Sequence, residues 1–591
     1  MSVQSWAVAV ALGGIAAAAS LDLSAQSSSD SGDWPMAAKD HASLRYSALD
    51  QIRADNVRNL ALAFTFSTGV VRGHEAAPIV ASGLMYIVTP YPNNVFALDL
   101  QRPGAPLKWK FEPKPAPASQ GEACCDVVNR GGVYADGRLF FNTLDGQTIA
   151  LEASTGRELW RTKLADVAKG ETVTMAPIVV KGKVLVGNSG GEFGVRGWLA
   201  ALDAKDGKVA WRAYSTGPDR DVLIGPSFKP YYDKQRGTDL GVSTWPPEAW
   251  KIGGGTVWGW ISYDPALNLI YYGTANPAPW NPSQRPGDNL WTAGIFARNP
   301  DTGEARWFYQ FSPHDLHDYD GVNENLLVDA DIGGTSRKVL VHPDRNGYVY
   351  VMDRASGEVI SATPYVHITT STGVDLQDGR IQYTPQAEPQ PGKVVRDICP
   401  AAPGGKDWQP SAYSPRTRLL YMPHQNLCQE AIASTASYIP GTPYVGATVK
   451  MHVGPGGNRG EFSAWDPAQG KKMWSIKEDL PVWSGALATA GDIVLYGTMD
   501  GWFKAVHARN GALLWQFKTG SGIVGQPIAY RGPDGKEYIA VLSGIGGWAG
   551  AVVSGDLDIR DATAATGFAN VLPDLKSRTV KGGMLYVFAL P

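Results

Sequence analysis

Cys124 and Cys125 stand side by side in the run GEACCDVVNR, residues 121–130. Neighbouring Cα atoms across a trans peptide are about 3.8 Å apart, shorter than the roughly 4.4–6.8 Å of an ordinary disulfide. A bond between them closes a small strained ring that cross-links nothing distant and adds almost no chain-entropy stabilisation. What such a ring offers is a flat, rigid, sulfur-faced wall for a binding site; two free thiols on a loop are the alternative. The remaining cysteines, Cys399 and Cys428, make an obvious second pair. No C-x-x-C-H is present, which excludes a covalently attached c-type haem. His314, His317, His342 and His452 lack a zinc spacing such as H-E-x-x-H and read as structural hydrogen-bonders.

A rigid wall needs a rigid scaffold, and the composition describes one. The 591 residues include 68 Gly, 41 Pro and 20 Trp, and only 18% are charged. That profile fits short strands, tight turns and buried indoles rather than helical bundles or disorder. A net charge of −3 gives no reason to expect nucleic acid or a basic membrane anchor. The apolar stretch Trp6–Ala19 is too short to span a bilayer comfortably and reads as a signal-peptide core, with residues 1–25 removed on export. No Lys or Arg precedes it. Export makes disulfides permissible.

One phrase recurs, an apolar strand, a polar residue, a Gly turn and a Trp. It ends at Trp160, Trp211, Trp307, Trp474 and Trp515, with a looser copy ending at Trp109. VMDRASGEVI puts Ile360 in the Trp position, and the opening strand ALAFTF offers Phe64 or Phe66. These eight positions predict an all-β, eight-bladed β-propeller with Trp-containing repeats, one four-stranded sheet per blade, in a single domain over 26–591. The wide gaps from Trp211 to Trp307 and from Ile360 to Trp474 hold loop insertions. The last strand, MLYVFAL, is expected to share a sheet with ALAFTF, and the recurring indoles to pack between blades.

The ordered set RGHEAAP, CCDVVNRG, GNSGGEFGVRGW, GGGTVWGW, GTANPAPWNP, RPGDN, HDYDGVNEN and HPDRNGYVY resembles the quinoprotein alcohol dehydrogenases that use pyrroloquinoline quinone (PQQ), over nearly the whole chain. The nearest likeness is to the lanthanide-dependent branch of the methanol-oxidising members. The resemblance implies that Cys124–Cys125 forms one face of the cofactor pocket and Trp258 the other. Arg130 and Arg345 supply forks for carboxylates and quinone oxygens, and Thr174, Ser189, Thr256, Gly190 and Gly191 supply neutral donors. Glu75 and Asp407 match further cofactor-contacting positions, and Cys399–Cys428 the family's structural disulfide. Trp280, Trp483 and Trp548 resemble residues near substrate and cofactor.

Glu192 and Asn276 match the family's metal ligands and Asp318 its catalytic base; Asp318 and Asp320, two residues on, are expected to complete the metal site. The calcium enzymes carry a small uncharged residue at that last position and the lanthanide enzymes an Asp. A trivalent ion gains more from an added carboxylate, whereas calcium leaves the clustered charge poorly compensated. A lanthanide is therefore expected, with calcium as the runner-up; a solvent-facing turn residue before Gly321 is the other reading of Asp320. The implied reaction is periplasmic oxidation of methanol or another short primary alcohol to the aldehyde. Asp318 takes the hydroxyl proton, Arg345 helps polarise the quinone oxygen, and electrons leave to a separate c-type cytochrome. The alternatives are a calcium-dependent quinoprotein for longer or secondary alcohols, and a non-enzymatic propeller scaffold for protein binding. A homodimer and a small helical partner subunit both stay open, and Gly546–Leu575 carries no motif that sets substrate size.

Overall fold

The computed structural model describes residues 32–591; the expected export signal, 1–25, lies outside the described residues. The architecture is an all-β propeller built from antiparallel sheets in chain order. Seven sheets have four strands, and an eighth gains a fifth from the short strand Tyr46–Ser47, which runs parallel to Leu487–Thr489. Most sheets are made of four consecutive strands. One sheet, Ala412–Ser414 with Leu419–Gln425, Gly460–Asp466 and Lys471–Glu478, is interrupted by strands of another. One joins the two ends of the chain: Ala61–Ser67 pairs antiparallel with Met584–Ala589, which continues to Glu537–Ser543 and Ile528–Arg531. Among the described residues no helix is long and apolar enough to cross a membrane.

The repeated Trp has a largely uniform use. Most of the indoles lie against the turn of the following repeat and donate Nε1–H to a backbone carbonyl there. Trp109 reaches Ala153 at 3.1 Å, Trp160 reaches Ala204 at 3.1 Å, Trp211 reaches Pro300 at 2.9 Å, and Trp474 reaches Ala508 at 3.1 Å. Trp515 reaches Leu60 at 3.1 Å, directly before the first strand of the chain-end sheet. Trp307 makes the same stacking contact, on Gly357, without the hydrogen bond. The turn Gly is required on two counts. At Gly207 the backbone has φ +74°, and a Cβ would stand 2.6 Å from the Trp160 ring. Gly207→Ala is therefore expected to destabilise the protein by roughly 2–4 kcal/mol, combining left-handed strain with overpacking. An unchanged unfolding midpoint in urea would remove the docking role given to this contact.

The two wide gaps differ in content. The first holds short helices, among them Asp219–Val222 and Leu240–Ser243. The second is largely β rather than loop: a hairpin, Ser371–Asp375 with Arg380–Tyr383, and a three-stranded sheet of Val395–Ile398, Leu427–Ala433 and Ala447–Val453. Cys399 and Cys428 are bonded there, tying the first of those three strands to the second.

Antiparallel connectivity decides where a site can form. In an up-and-down sheet the connection entering the first strand and the one between second and third strands lie at the same end. The Trp-bearing turns lie at the other. Loops at one end of a rigid scaffold are where binding groups gather.

Candidate cofactor and metal site

Every candidate residue lies on that loop end. Glu75, Cys124, Cys125, Arg130, Thr174, Thr256, Trp258, Asp318, Asp320 and Asp407 precede the first strands of their sheets. Ser189–Glu192, Asn276 and Arg345 occupy connections between second and third strands. A cavity of about 220 Å³ opens among them, and all of these residues line it except Gly191 and Asn276. Those two lie immediately behind the wall, where a Cβ on Gly191 would be 3.6 Å from both Asn276 Oδ1 and Thr256 Oγ1. Trp280, Trp483 and Trp548 also line the cavity.

The sulfurs of Cys124 and Cys125 are bonded, with Cα atoms 3.8 Å apart. The next residue, Asp126, fixes this loop by accepting from the Gly547 N–H at 3.0 Å and the Ser554 hydroxyl at 2.8 Å, both on the helix Gly547–Ser554. Arg130 pairs with Glu75 at 3.1 Å and donates to Thr174 Oγ1 at 2.9 Å, which in turn meets Ser189 Oγ at 2.9 Å. Gly190 makes this corner possible, since its φ is +116° and a Cβ would stand 2.3 Å from the Gly170 carbonyl. Both guanidiniums face the Trp258 ring, Arg130 at 4.7 Å and Arg345 at 5.3 Å from its centre.

Arg345 stands among three acids, 3.3 Å from Asp318, 3.4 Å from Asp320 and 3.1 Å from Asp407. Asp320 is 3% exposed, which excludes a solvent-facing turn residue. Its Oδ1 accepts from the Asn276 backbone N–H at 2.5 Å and its Oδ2 from the Trp258 indole at 3.0 Å. Burial pushes the Asp320 carboxyl up to about 7 against the opposing pull of Arg345. Burial, followed by the charge of Asp320, holds the Asp318 carboxyl well above its ordinary range. Burial raises Glu192 too, and lifts Glu75 to about 8 although Arg130 opposes it.

The donor set fits a hard multivalent cation. Six buried or half-buried carboxylates (Glu75, Asp126, Glu192, Asp318, Asp320, Asp407) line the cavity with two guanidiniums, an excess of four negative charges when all are ionised. Glu192, Asp318, Asp320 and the nearby Asn276 are all oxygen donors. No three Asp, Glu, His or Cys side chains among the described residues already converge as a cation cage; the carboxylates are arranged around Arg345 instead. The same walls fit a planar polyanion. Asp318 Oδ1, Arg130 Nε, Arg345 Nε and the indole N–H groups of Trp280 and Trp483 are buried without a protein partner. Buried polar groups left in that condition at a cavity call for a ligand that satisfies them.

A model of the PQQ glucose/ethanol/alcohol dehydrogenase β-propeller domain matches residues 34–393. The chain belongs to the PQQ-dependent alcohol dehydrogenase family. A second model, described as outer membrane protein assembly factor BamB, matches residues 458–541, which include the Trp474 and Trp515 repeats. The chain is 50% identical to a lanthanide-dependent methanol dehydrogenase of Methylacidiphilum fumariolicum, over 95% of this chain and 92% of that one. It is 45% identical to methanol dehydrogenase [cytochrome c] subunit 1 of Methylorubrum extorquens, over 94% and 91%. A solved europium-containing methanol dehydrogenase superposes with a TM-score of 0.94 at 50% identity, covering 95% of this chain and 99% of that chain.

Several wall residues carry no signal in the repeat or the motifs: Trp408, Pro443, Val445 and Thr566. Asp126 did carry one, since it lies inside CCDVVNRG. His317 departs from its expected use. His314 and His342 do make hydrogen bonds, but neither His317 ring nitrogen has a partner, and its ring lies 5.3 Å from that of Tyr319. Burial lowers its pKa to about 3, so it is neutral.

Proposed function

We propose that this chain oxidises methanol or another short primary alcohol to the aldehyde in the periplasm, with PQQ and a lanthanide ion. The observation that carries the reading is the buried, unpartnered Asp318 Oδ1, set in a cavity whose acids outnumber its guanidiniums. Support for the metal and substrate comes from relatives named as lanthanide-dependent and europium-containing methanol dehydrogenases. Support for an acceptor cytochrome comes from the relative named with cytochrome c. The eight sheets and the Trp515–Leu60 contact favour a closed eight-bladed ring in one domain. The apolar run Trp6–Ala19 favours export.

Cys124–Cys125 and Trp258 would hold the flat cofactor between them, with Arg130, Thr174, Ser189 and Thr256 binding its polar edge and Glu75 and Asp407 fixing the guanidiniums. Glu192, Asn276, Asp318 and Asp320 would hold the cation. When bound, PQQ supplies the two-electron sink for hydride, and the cation polarises the reactive carbonyl and keeps the surrounding carboxylates ionised. Asp318 Oδ1 receives the hydroxyl proton of the alcohol. Arg345, anchored by Asp407 and Asp318, orients that carboxylate and donates to the developing negative charge. Trp280, Trp483 and Trp548 form an apolar wall that excludes water from the transfer.

The test is dye-linked turnover by protein carrying bound PQQ, with methanol, ethanol, a secondary alcohol and glucose compared. Formaldehyde from methanol at the highest kcat/KM supports the reading. Preference for glucose or a secondary alcohol would replace the substrate, and no turnover with PQQ bound would remove the activity.

A further inference from the structure

Asp318 lies in the left-handed region, φ +68°, uncommon for residues other than Gly although Asp tolerates it better than most. Something must hold it there, and a single buried carboxylate does. Asp315, 1% exposed, accepts three successive backbone N–H groups. Its Oδ2 takes Asp318 at 2.9 Å, and its Oδ1 takes Tyr319 at 3.1 Å and His317 at 3.4 Å. Asp side chains that accept from the backbone N–H groups just ahead form such turns, and two oxygens serving three donors over-determine this one.

Asp315 is itself anchored. The Arg285 guanidinium, 1% exposed, donates to the Asp315 carbonyl at 2.5 Å, to the Pro279 carbonyl at 2.6 Å and to Asn289 Oδ1 at 2.9 Å. It therefore clamps the Asp318 turn to the loop that carries Asn276 and Trp280. Asp320 donates its N–H to the Asp318 carbonyl at 3.2 Å but also has holds of its own. Asn276 N–H and the Trp258 indole hold its carboxylate, and the Gly321 N–H donates to the Thr274 carbonyl at 3.0 Å.

We propose that Asp315 is a positioning residue for the reaction, fixing the Asp318 carboxylate through the backbone turn it caps. The inference rests on the reading of Asp318 as the base. Loss of the cap lets the turn relax toward ordinary φ values and moves Asp318 Oδ1 away from the hydroxyl it must reach. A misplacement of about 1 Å is enough to cost on the order of 100-fold in rate.

The experiment compares wild-type holoenzyme with Asp315→Ala, Asp315→Ser and Asp315→Asn. It measures kcat per bound PQQ, KM for methanol, PQQ absorbance and lanthanide content by mass spectrometry. In protein loaded with lanthanide, Asp315→Ala is expected to lose about 100-fold in kcat per bound PQQ, with KM and PQQ content near wild type. Asp315→Ser, whose Oγ still accepts from the turn, recovers part of that loss. Should Asp315→Ala yield no folded holoenzyme, Asp315→Asn decides. It keeps the shape and one acceptor oxygen but turns an amide NH2 toward the remaining donors. A fall of about tenfold or more at full PQQ content supports the inference. Wild-type turnover per bound PQQ in the folded variants overturns it, as does a loss that only tracks missing PQQ or lanthanide, the outcome of a purely structural role. Failure of the wild-type holoenzyme to oxidise alcohol removes the base assignment itself, a result distinct from either.

Discussion

Asp318→Asn holoenzyme is expected to turn over alcohol on the order of 10²–10⁴-fold more slowly than wild type, the range contributed by a positioned general base. The substitution preserves shape and the contacts to Arg345, whose guanidinium also donates to the Asp318 carbonyl at 3.0 Å. The fold and bound PQQ should therefore persist, because the turn is held by Asp315 and the cofactor walls by other loops. The proton acceptor is removed, and with it one negative charge of the donor set proposed for the cation. Steady-state kcat normalised to bound PQQ checks this, and a variant retaining a tenth of wild-type turnover would require another base.

The second large effect belongs to Asp320. Removing a carboxylate that serves the cation directly should weaken lanthanide binding by at least the 100-fold that loss of an outer contact can produce. Asp320→Ala also strands the Asn276 N–H and the Trp258 indole, each then buried without its acceptor. Asp320→Asn is the cleaner variant, since it keeps an acceptor and discards the charge. Terbium bound near Trp258 should show indole-sensitised luminescence that titrates in wild type at far lower concentration than in either variant. Equal losses of lanthanide and calcium affinity would mean that Asp320 provides general anionic character and no preference for the trivalent ion.

The sequence reveals the parts of this protein that repeat or that require unusual residues. The Trp-turn phrase locates the sheets because it repeats, and five of its indoles lie on a positive-φ Gly of the next turn, as Trp160 does on Gly207. The adjacent cysteines stand out because their spacing cannot serve as an ordinary cross-link. Asp320 stands out within D-Y-D-G because hard-cation chemistry gives a second acid a purpose.

What repeats nowhere is hidden. The three-stranded insertion that contributes Pro443 and Val445 beside the cavity has no counterpart in the other sheets. The helix Gly547–Ser554, GWAGAVVS, contains two glycines and is buried at seven of its eight positions, so tertiary packing overrides a poor propensity. Asp315 reads as one more acid in HDLHDYD, and only the three backbone donors converging on it reveal its use.

The most direct measurement is dye-linked methanol oxidation by the purified, metal-free protein supplied with PQQ, with lanthanum and calcium added separately. Turnover that appears with lanthanum and stays at background with calcium is the predicted result, because the added Asp320 carboxylate suits the trivalent charge. Full turnover with calcium alone would contradict the account at its centre, leaving the dehydrogenase but reversing the meaning of the acidic cluster.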